Sequence, residues 1–246
     1  MSLETFAAPR QRPANLHINT DFKINFENDD FLVVDKPAPL AVHPVGCYAE
    51  LNLHSLLKKD PRWQDTQIRF VHRLDAETSG LVLAAKTPEA ARFAGIEFLK
   101  GRVQKTYHAL VFGEPAEKEG LIDLPLGNDL SSGFQTLRVL DREKGQESRT
   151  LYRVLWSEKN YSYLEIEPLT GRTHQIRAHL SLIGHPIVGD KIYIDAGIFK
   201  EYVLNGMDPA MLERLKLPRL ALHASRLCLA RYDFRSEAPD FFQALA

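Results

Sequence analysis

The sequence predicts an α+β fold carried by a mixed or antiparallel sheet. Three observations point there. Short apolar or alternating segments outnumber helical ones, they seldom alternate as β-α-β units, and the first two flank the polar turn Asn28-Asp29-Asp30, a hairpin signal. Taken in order, residues 1–20 hold Pro9 and Pro13 among polar side chains and read as an extended arm. Phe22 to Phe26 and Phe31 to Asp35 supply the hairpin strands, and Leu51 to Lys58 a short helix. Ile68 to Val71 and Leu81 to Lys86 are strands on either side of a polar loop. Pro88 opens a helix through Lys100, at a position where its missing amide hydrogen costs nothing. Tyr107 to Phe112, Arg149 to Trp156 and Tyr161 to Glu167 read as further strands. His174 to Ile183 is apolar at Ile176, Leu180 and Ile183, which is helical spacing with Arg177 on a neighbouring face. Tyr193 to Pro218 reads as an insertion with one short helix at Pro209 to Lys216, and Leu220 to Leu229 closes the pattern as a strand.

Composition narrows the class. At 246 residues the chain is long enough for one large domain or two small ones with a sizeable core. With 44% hydrophobic and 26% charged residues it is an ordinary globular chain. Its apolar runs are too short to span a membrane and its N-terminus has no signal-peptide core. Cys47 and Cys228 show no metal-type spacing, so free thiols in a reducing cytoplasm are expected. A net charge of −1 argues against a uniformly basic nucleic-acid binder. The charges are unevenly spread, however. Arg73, Lys86, Arg92, Lys100, Arg102 and Lys105 recur through one third of the chain, and acidic residues gather at Glu114 to Glu119. Such polarity allows local phosphate binding.

The most informative segment is Val71-His72-Arg73-Leu74-Asp75-Ala76-Glu77-Thr78-Ser79-Gly80, which sets a carboxylate just before a strand. Arg73 and Lys86 are near enough in sequence to help keep it ionised. By itself the decapeptide is equally compatible with an Asp that caps a turn through Thr78 and Ser79.

The segment resembles the signature H-R-L-D-x-x-T-S-G of the RluA family of pseudouridine synthases. Other blocks resemble the family's motifs in the same order: Phe31 to Pro37 with Val42-His43-Pro44, then Lys105-Thr106-Tyr107. Leu169 to Arg177 with Gly184 to Asp190 follows, and then Leu220 to Ala224. Pro39 stands where the family often has Gly, and Arg231-Tyr232 where it often has His-Pro. The resemblance implies the pseudouridine synthase fold, a mixed, mainly antiparallel bifurcated sheet with flanking helices and a central catalytic cleft, over 21–246. With only about twenty residues before the first strand, the S4-type RNA-binding domain of many members is not expected.

The resemblance further implies an isomerase that converts uridine to pseudouridine in ribosomal or transfer RNA, in the cytoplasm, without a cofactor, metal, membrane or obligate protein partner. Asp75 would act by covalent addition or by assisting glycosidic cleavage. Arg177 would be its ion partner, and Tyr107 would offer a ring for stacking and a hydroxyl for proton traffic. Arg73 would brace the space left by a flipped base. Ile176 and Leu222 would form an apolar wall, with plain core packing as the alternative.

Other chemistries fit less well. His72, His174, His179, His185 and His223 show no metal-ligand spacing, and hydrogen bonding within the fold is the better reading. Gly184 to Gly189 lacks the lysine and serine of a phosphate loop. A glycosidase built on Asp75 and Glu77 would need two carboxyls flanking a sugar. A non-catalytic RNA-binding or ribosome-assembly protein on the same scaffold is the remaining alternative, but it would have no need for Asp75, Tyr107 and Arg177 together.

Overall fold

The computed structural model describes residues 16–129, 137–241 and 243–245. In chain order its strands are β1 (Lys23–Glu27), β2 (Phe31–Lys36), β3 (Arg69–Phe70), β4 (Ser79–Ala85), β5 (Gln104–Phe112) and β6 (Glu119–Asp123). They continue with β7 (Leu126–Asn128), β8 (Arg138–Leu140), β9 (Arg149–Glu158), β10 (Tyr161–Pro168), β11 (Leu222–Leu229) and β12 (Tyr232–Arg235). The helices are α1 (Leu53–Lys59), α2 (Pro88–Leu99), α3 (Gln175–Leu182), α4 (Ala196–Asn205) and α5 (Pro209–Leu215). Most of the arm expected over 1–20 lies outside the described residues. Its last part is anchored rather than extended free, because Ile18 is buried and the Asn19 amide donates to the Pro39 carbonyl.

The span expected as one domain separates into two compact units, with the boundary inside β5. One unit holds His17–Tyr107 and Leu222–Pro239, the other His108–Ala221 and the residues from Asp240. The chain returns to the first unit over Leu222–Pro239 because β11 and β12 find partners there. In that unit β2 pairs antiparallel with β1 and β4, and β4 pairs antiparallel with β3. β11 joins β4 in parallel at His223–Ser79 and Ala224–Gly80, and β12 pairs antiparallel with β11. Every residue of β4 is buried, as its unbroken apolar run requires of a central strand. Leu81, Leu83 and Ala85 pack with Phe31, Val33 and Ala94 of α2, a helix capped by Thr87 and opened by Pro88.

In the second unit β9 pairs antiparallel with β6 and β10, β7 with β8, and α3 packs on β8, β9 and β10. The stretch read as an insertion carries two helices. Ile198 of α4 and Met211 and Leu215 of α5 make a small core of their own. The sequence reading missed α4, β6, β7, β8 and β12. The missed strands are short and mostly polar or half-buried, so their state follows from the pairing partner rather than from their own pattern.

One backbone contact fixes the entrance to β4. Gly80 has φ +107°, and a Cβ there would lie 2.3 Å from the Ala224 carbonyl oxygen of β11. Gly80→Ala is therefore expected to cost both the φ preference and this close approach, well above 1 kcal/mol. A thermal melt of the variant within a degree of wild type would refute the tight β4–β11 contact.

Candidate active site

Asp75 lies half-buried in the loop between β3 and β4, and the loop is held from several sides. The Thr78 amide donates to the Asp75 carbonyl, closing a turn, and the Leu40 amide donates to the Ala76 carbonyl at 2.8 Å. Lys36 at the end of β2 is 0% exposed. Its ammonium donates to the carbonyls of Leu40 at 2.7 Å, Pro37 at 2.9 Å and Ala76 at 3.3 Å. These partners offset the desolvation of a buried charge, and they tie the residue after Asp75 to the segment after β2.

Ser79 is also bound into a chain of hydrogen bonds that is buried at Ser79 and His223 and half-buried at Ser236 and Asp35. Asp35 can only accept as a carboxylate, so Ser236 donates to it. His223 Nε2 then donates to Ser236 at 3.0 Å, and the Ser79 hydroxyl donates to His223 Nδ1 at 2.9 Å. Sequence reasoning gave His223 a hydrogen-bonding part but missed Lys36, Asp35 and Ser236. A lysine closing an apolar strand and followed by proline was the available signal for the first. For Ser236, brought in by β12, there was none.

His72 is fixed as an uncharged ring. The Leu83 amide donates to its Nε2 at 2.9 Å, and the ring stacks on Phe98 at 5.0 Å. Burial and then the Lys105 charge push its pKa down to about 3, against the Arg73 backbone bond that opposes them. Burial also lowers the Lys105 pKa. Two residues on and on the same face of β5, Tyr107 has its hydroxyl pKa raised, first by burial and then by the Asp75 charge. Asp75 and Tyr107 are thus electrostatically coupled within one unit, and the phenol is kept protonated as a donor. Arg73 is exposed in the same loop, and Leu222 is buried at the start of β11 beside His223.

Arg177 and Ile176 are neighbours on α3 in the other unit, both buried rather than on an exposed helix face. The Arg177 guanidinium, 8% exposed, grips Asp190 with two parallel bonds, Nε to Oδ2 at 2.7 Å and Nη2 to Oδ1 at 2.8 Å. Asp190 is 0% exposed and also accepts from the Ile192 and Tyr193 amides. Burial pushes the Asp190 carboxyl up, but the Arg177 charge and these bonds outweigh it and its pKa is lowered. The guanidinium also lies 5.3 Å from the Tyr193 ring. The sequence reading assigned Arg177 a carboxylate partner but did not foresee Asp190, thirteen residues on.

The turn leading into α3 is built by Gln175, a further residue the sequence reading passed over. Its side-chain oxygen accepts from Thr170 and the Arg172 amide, and its nitrogen donates to the Arg149 carbonyl and Thr150 of β9. His174, in the left-handed region at φ 54°, is hydrogen-bonded through Nδ1 to the Tyr193 hydroxyl at 3.3 Å. His179 is bound to Thr150 and the Leu124 carbonyl, and His185 to the Phe112 carbonyl.

Comparison with known proteins adds four findings. The family model described as RNA pseudouridylate synthase matches residues 30–182. A protein of Nitrosomonas europaea named ribosomal large subunit pseudouridine synthase D is 38% identical over 91% of this chain, and the chain spans 64% of that relative's length. A Vibrio parahaemolyticus protein named dual-specificity RNA pseudouridine synthase RluA is 36% identical over 83% of this chain and 76% of its own. Among solved structures, human RNA pseudouridylate synthase domain containing 4 aligns with TM-score 0.72 and 26% identity, covering 90% of each chain.

Proposed function

The chain belongs to the RluA-type RNA pseudouridine synthases, and on that premise we propose that it isomerises uridine to pseudouridine in ribosomal or transfer RNA, with Asp75 as the catalytic carboxylate. The observation that carries this reading is the Asp75 loop itself. It is clamped through Ala76 to Lys36 and Leu40, and its carboxylate acts on a protonated tyrosine. A nucleophile or base needs such fixed aim.

The reaction breaks the bond between ribose C1′ and uracil N1, turns the base, and joins C1′ to C5. The hydrogen on C5 leaves as a proton and N1 gains one, so nothing is oxidised, reduced or hydrolysed. Asp75 serves as nucleophile or as the group assisting glycosidic cleavage. Tyr107 stacks on the uracil and carries a proton; Arg177, the cation that the family resemblance pairs with Asp75, is held by Asp190 within its own unit. Ile176 and Leu222 wall the base, while Arg73 fills the gap left by flipping. The setting is cytoplasmic; among the described residues no helix is long and apolar enough to cross a membrane.

The test is to map pseudouridines in total RNA from a strain lacking the gene, and to treat that RNA with purified protein. Specific positions should be lost in the strain and regained in the tube. RNA unchanged in both arms would overturn the activity. Because the chemistry is redox-neutral, the purified enzyme should work in EDTA on an RNA that folds without magnesium. A strict need for one particular ion on that substrate would refute the cofactor-free mechanism.

A further inference from the structure

Five residues before Asp75, Phe70 ends β3 with its ring against two imidazoles. His43 meets it edge-on, with centroids 5.3 Å apart and planes at 88°. His54 stands 6.3 Å from the Phe70 ring and 6.3 Å from that of His43. His43 is exposed, so the outer side of this wall is open to solvent. His54 also lines a cavity of about 210 Å³ together with Lys58, Trp63, Gln67 and Arg69. That is below the roughly 300–1,000 Å³ of sites for drug-sized ligands and on the scale of one planar ring system.

Three cations surround these rings. Arg73 acts electrostatically on His43, Lys58 acts on His54, and Arg69 lines the cavity. In the same unit Arg62 meets Asp60, Lys86 meets Glu27, Arg102 meets Glu97 and Arg226 meets Asp233. Among the described residues Lys58, Arg69 and Arg73 have no such carboxylate. Burial lowers the pKa of both imidazoles, with the neighbouring positive charges adding to it. Near neutral pH they therefore offer uncharged rings, suited to stacking. Open aromatic faces bordered by unneutralised cations are the two components of a platform for single-stranded nucleic acid, where bases stack and phosphates supply the missing negative charge.

We propose that this surface is a subsite for an unpaired nucleotide flanking the target uridine, with its base on the His43–Phe70 wall and its phosphates on Lys58 and Arg69. The proposal rests on the reading of Asp75 as the catalytic group, since five residues of chain reach at most about 18 Å from Phe70 to Asp75. The nucleotide held here is accordingly a near neighbour of the one that reacts. The site selects single strands because in a duplex both faces of a base are already stacked on its neighbours.

The test is fluorescence anisotropy with a labelled, unstructured RNA oligonucleotide and with a duplex of the same length, at several salt concentrations. His43→Ala removes an exposed ring, and Phe70→Leu keeps apolar volume while removing the aromatic face. Each should weaken single-strand binding by about 5- to 100-fold and leave duplex binding as in wild type. Arg69→Gln should lower the salt slope by roughly the share of one phosphate. Variants that bind the single strand like wild type would overturn the subsite. So would an equal loss on single strand and duplex, which would mark a structural effect. Pseudouridine formation by the wild-type protein is scored separately, so failure of the activity and failure of the subsite give different results.

Discussion

Asp75→Asn should abolish pseudouridine formation while the protein stays folded and still binds RNA. The substitution is nearly isosteric. It removes the negative charge and the nucleophilic oxygen, and the backbone bonds of the loop, from Thr78 to the Asp75 carbonyl and from Leu40 and Lys36 to that of Ala76, do not depend on the side chain. Acid–base assistance alone contributes about 10²–10⁴-fold in enzymes, so a loss of about 10³-fold or more is expected if Asp75 also serves as the nucleophile. Phosphate contacts come from other residues, and the affinity should change little. The three measurements belong together: tritium release or mass mapping for activity, thermal melting for the fold, and anisotropy for RNA. Turnover near the wild-type rate would eliminate Asp75 as the catalytic group.

Arg177→Met should be the most destabilising change at the site, because it strands Asp190. Removing one partner of a buried ion pair costs about 3–5 kcal/mol, and Asp190 has no access to water with which to recover it. The pH dependence has a definite sign. In the wild type the Asp190 pKa is lowered, so its stabilisation is present above the unfolded carboxylate value of about 3.9 and is lost as pH falls through the folded one. Without the cation, burial alone would raise that pKa, and acid would relieve the variant. The gap in unfolding free energy should therefore be widest near neutrality and narrow towards pH 4. A gap independent of pH would show that the pair is not what stabilises this region.

The same pair separates structure from chemistry. Arg177→Lys keeps the charge but loses the planar fork, so activity should fall in the order Arg, Lys, Met. Combining Arg177→Met with Asp190→Asn removes both charges, leaves an acceptor for the Ile192 and Tyr193 amides, and should restore much of the stability. Activity that stays lost in this double variant is expected if Arg177 serves Asp75. Activity that returns with the fold would reduce Arg177 to a support for Asp190 alone.

Much of the fold was legible in the chain. The buried strands β2 and β4, the alternating β9 and β10, and α2 with its Thr87-Pro88 start all carry local signals in their own residues. The motif around Asp75 is also local, because H-R-L-D-x-x-T-S-G is contiguous and its neighbours in order are informative together. What escaped were elements whose state depends on a partner. β6 is one, its Gly120 set against the Tyr152 ring of β9; β12 is another, meaningful only once β11 lies beside it.

Sequence by itself determined the family and the order of the motifs, and it nominated the candidate site residues, since all are properties of short runs read along the chain. Only the tertiary structure decided which groups those residues answer to. It placed Lys36 on the carbonyl of Ala76, linked Ser79 through His223 and Ser236 to Asp35, and gave Arg177 a buried carboxylate at Asp190. The reason is physical. A buried charge or hydroxyl must find partners wherever the fold brings them, and separations of 40, 144 and 201 residues leave no trace in local spacing.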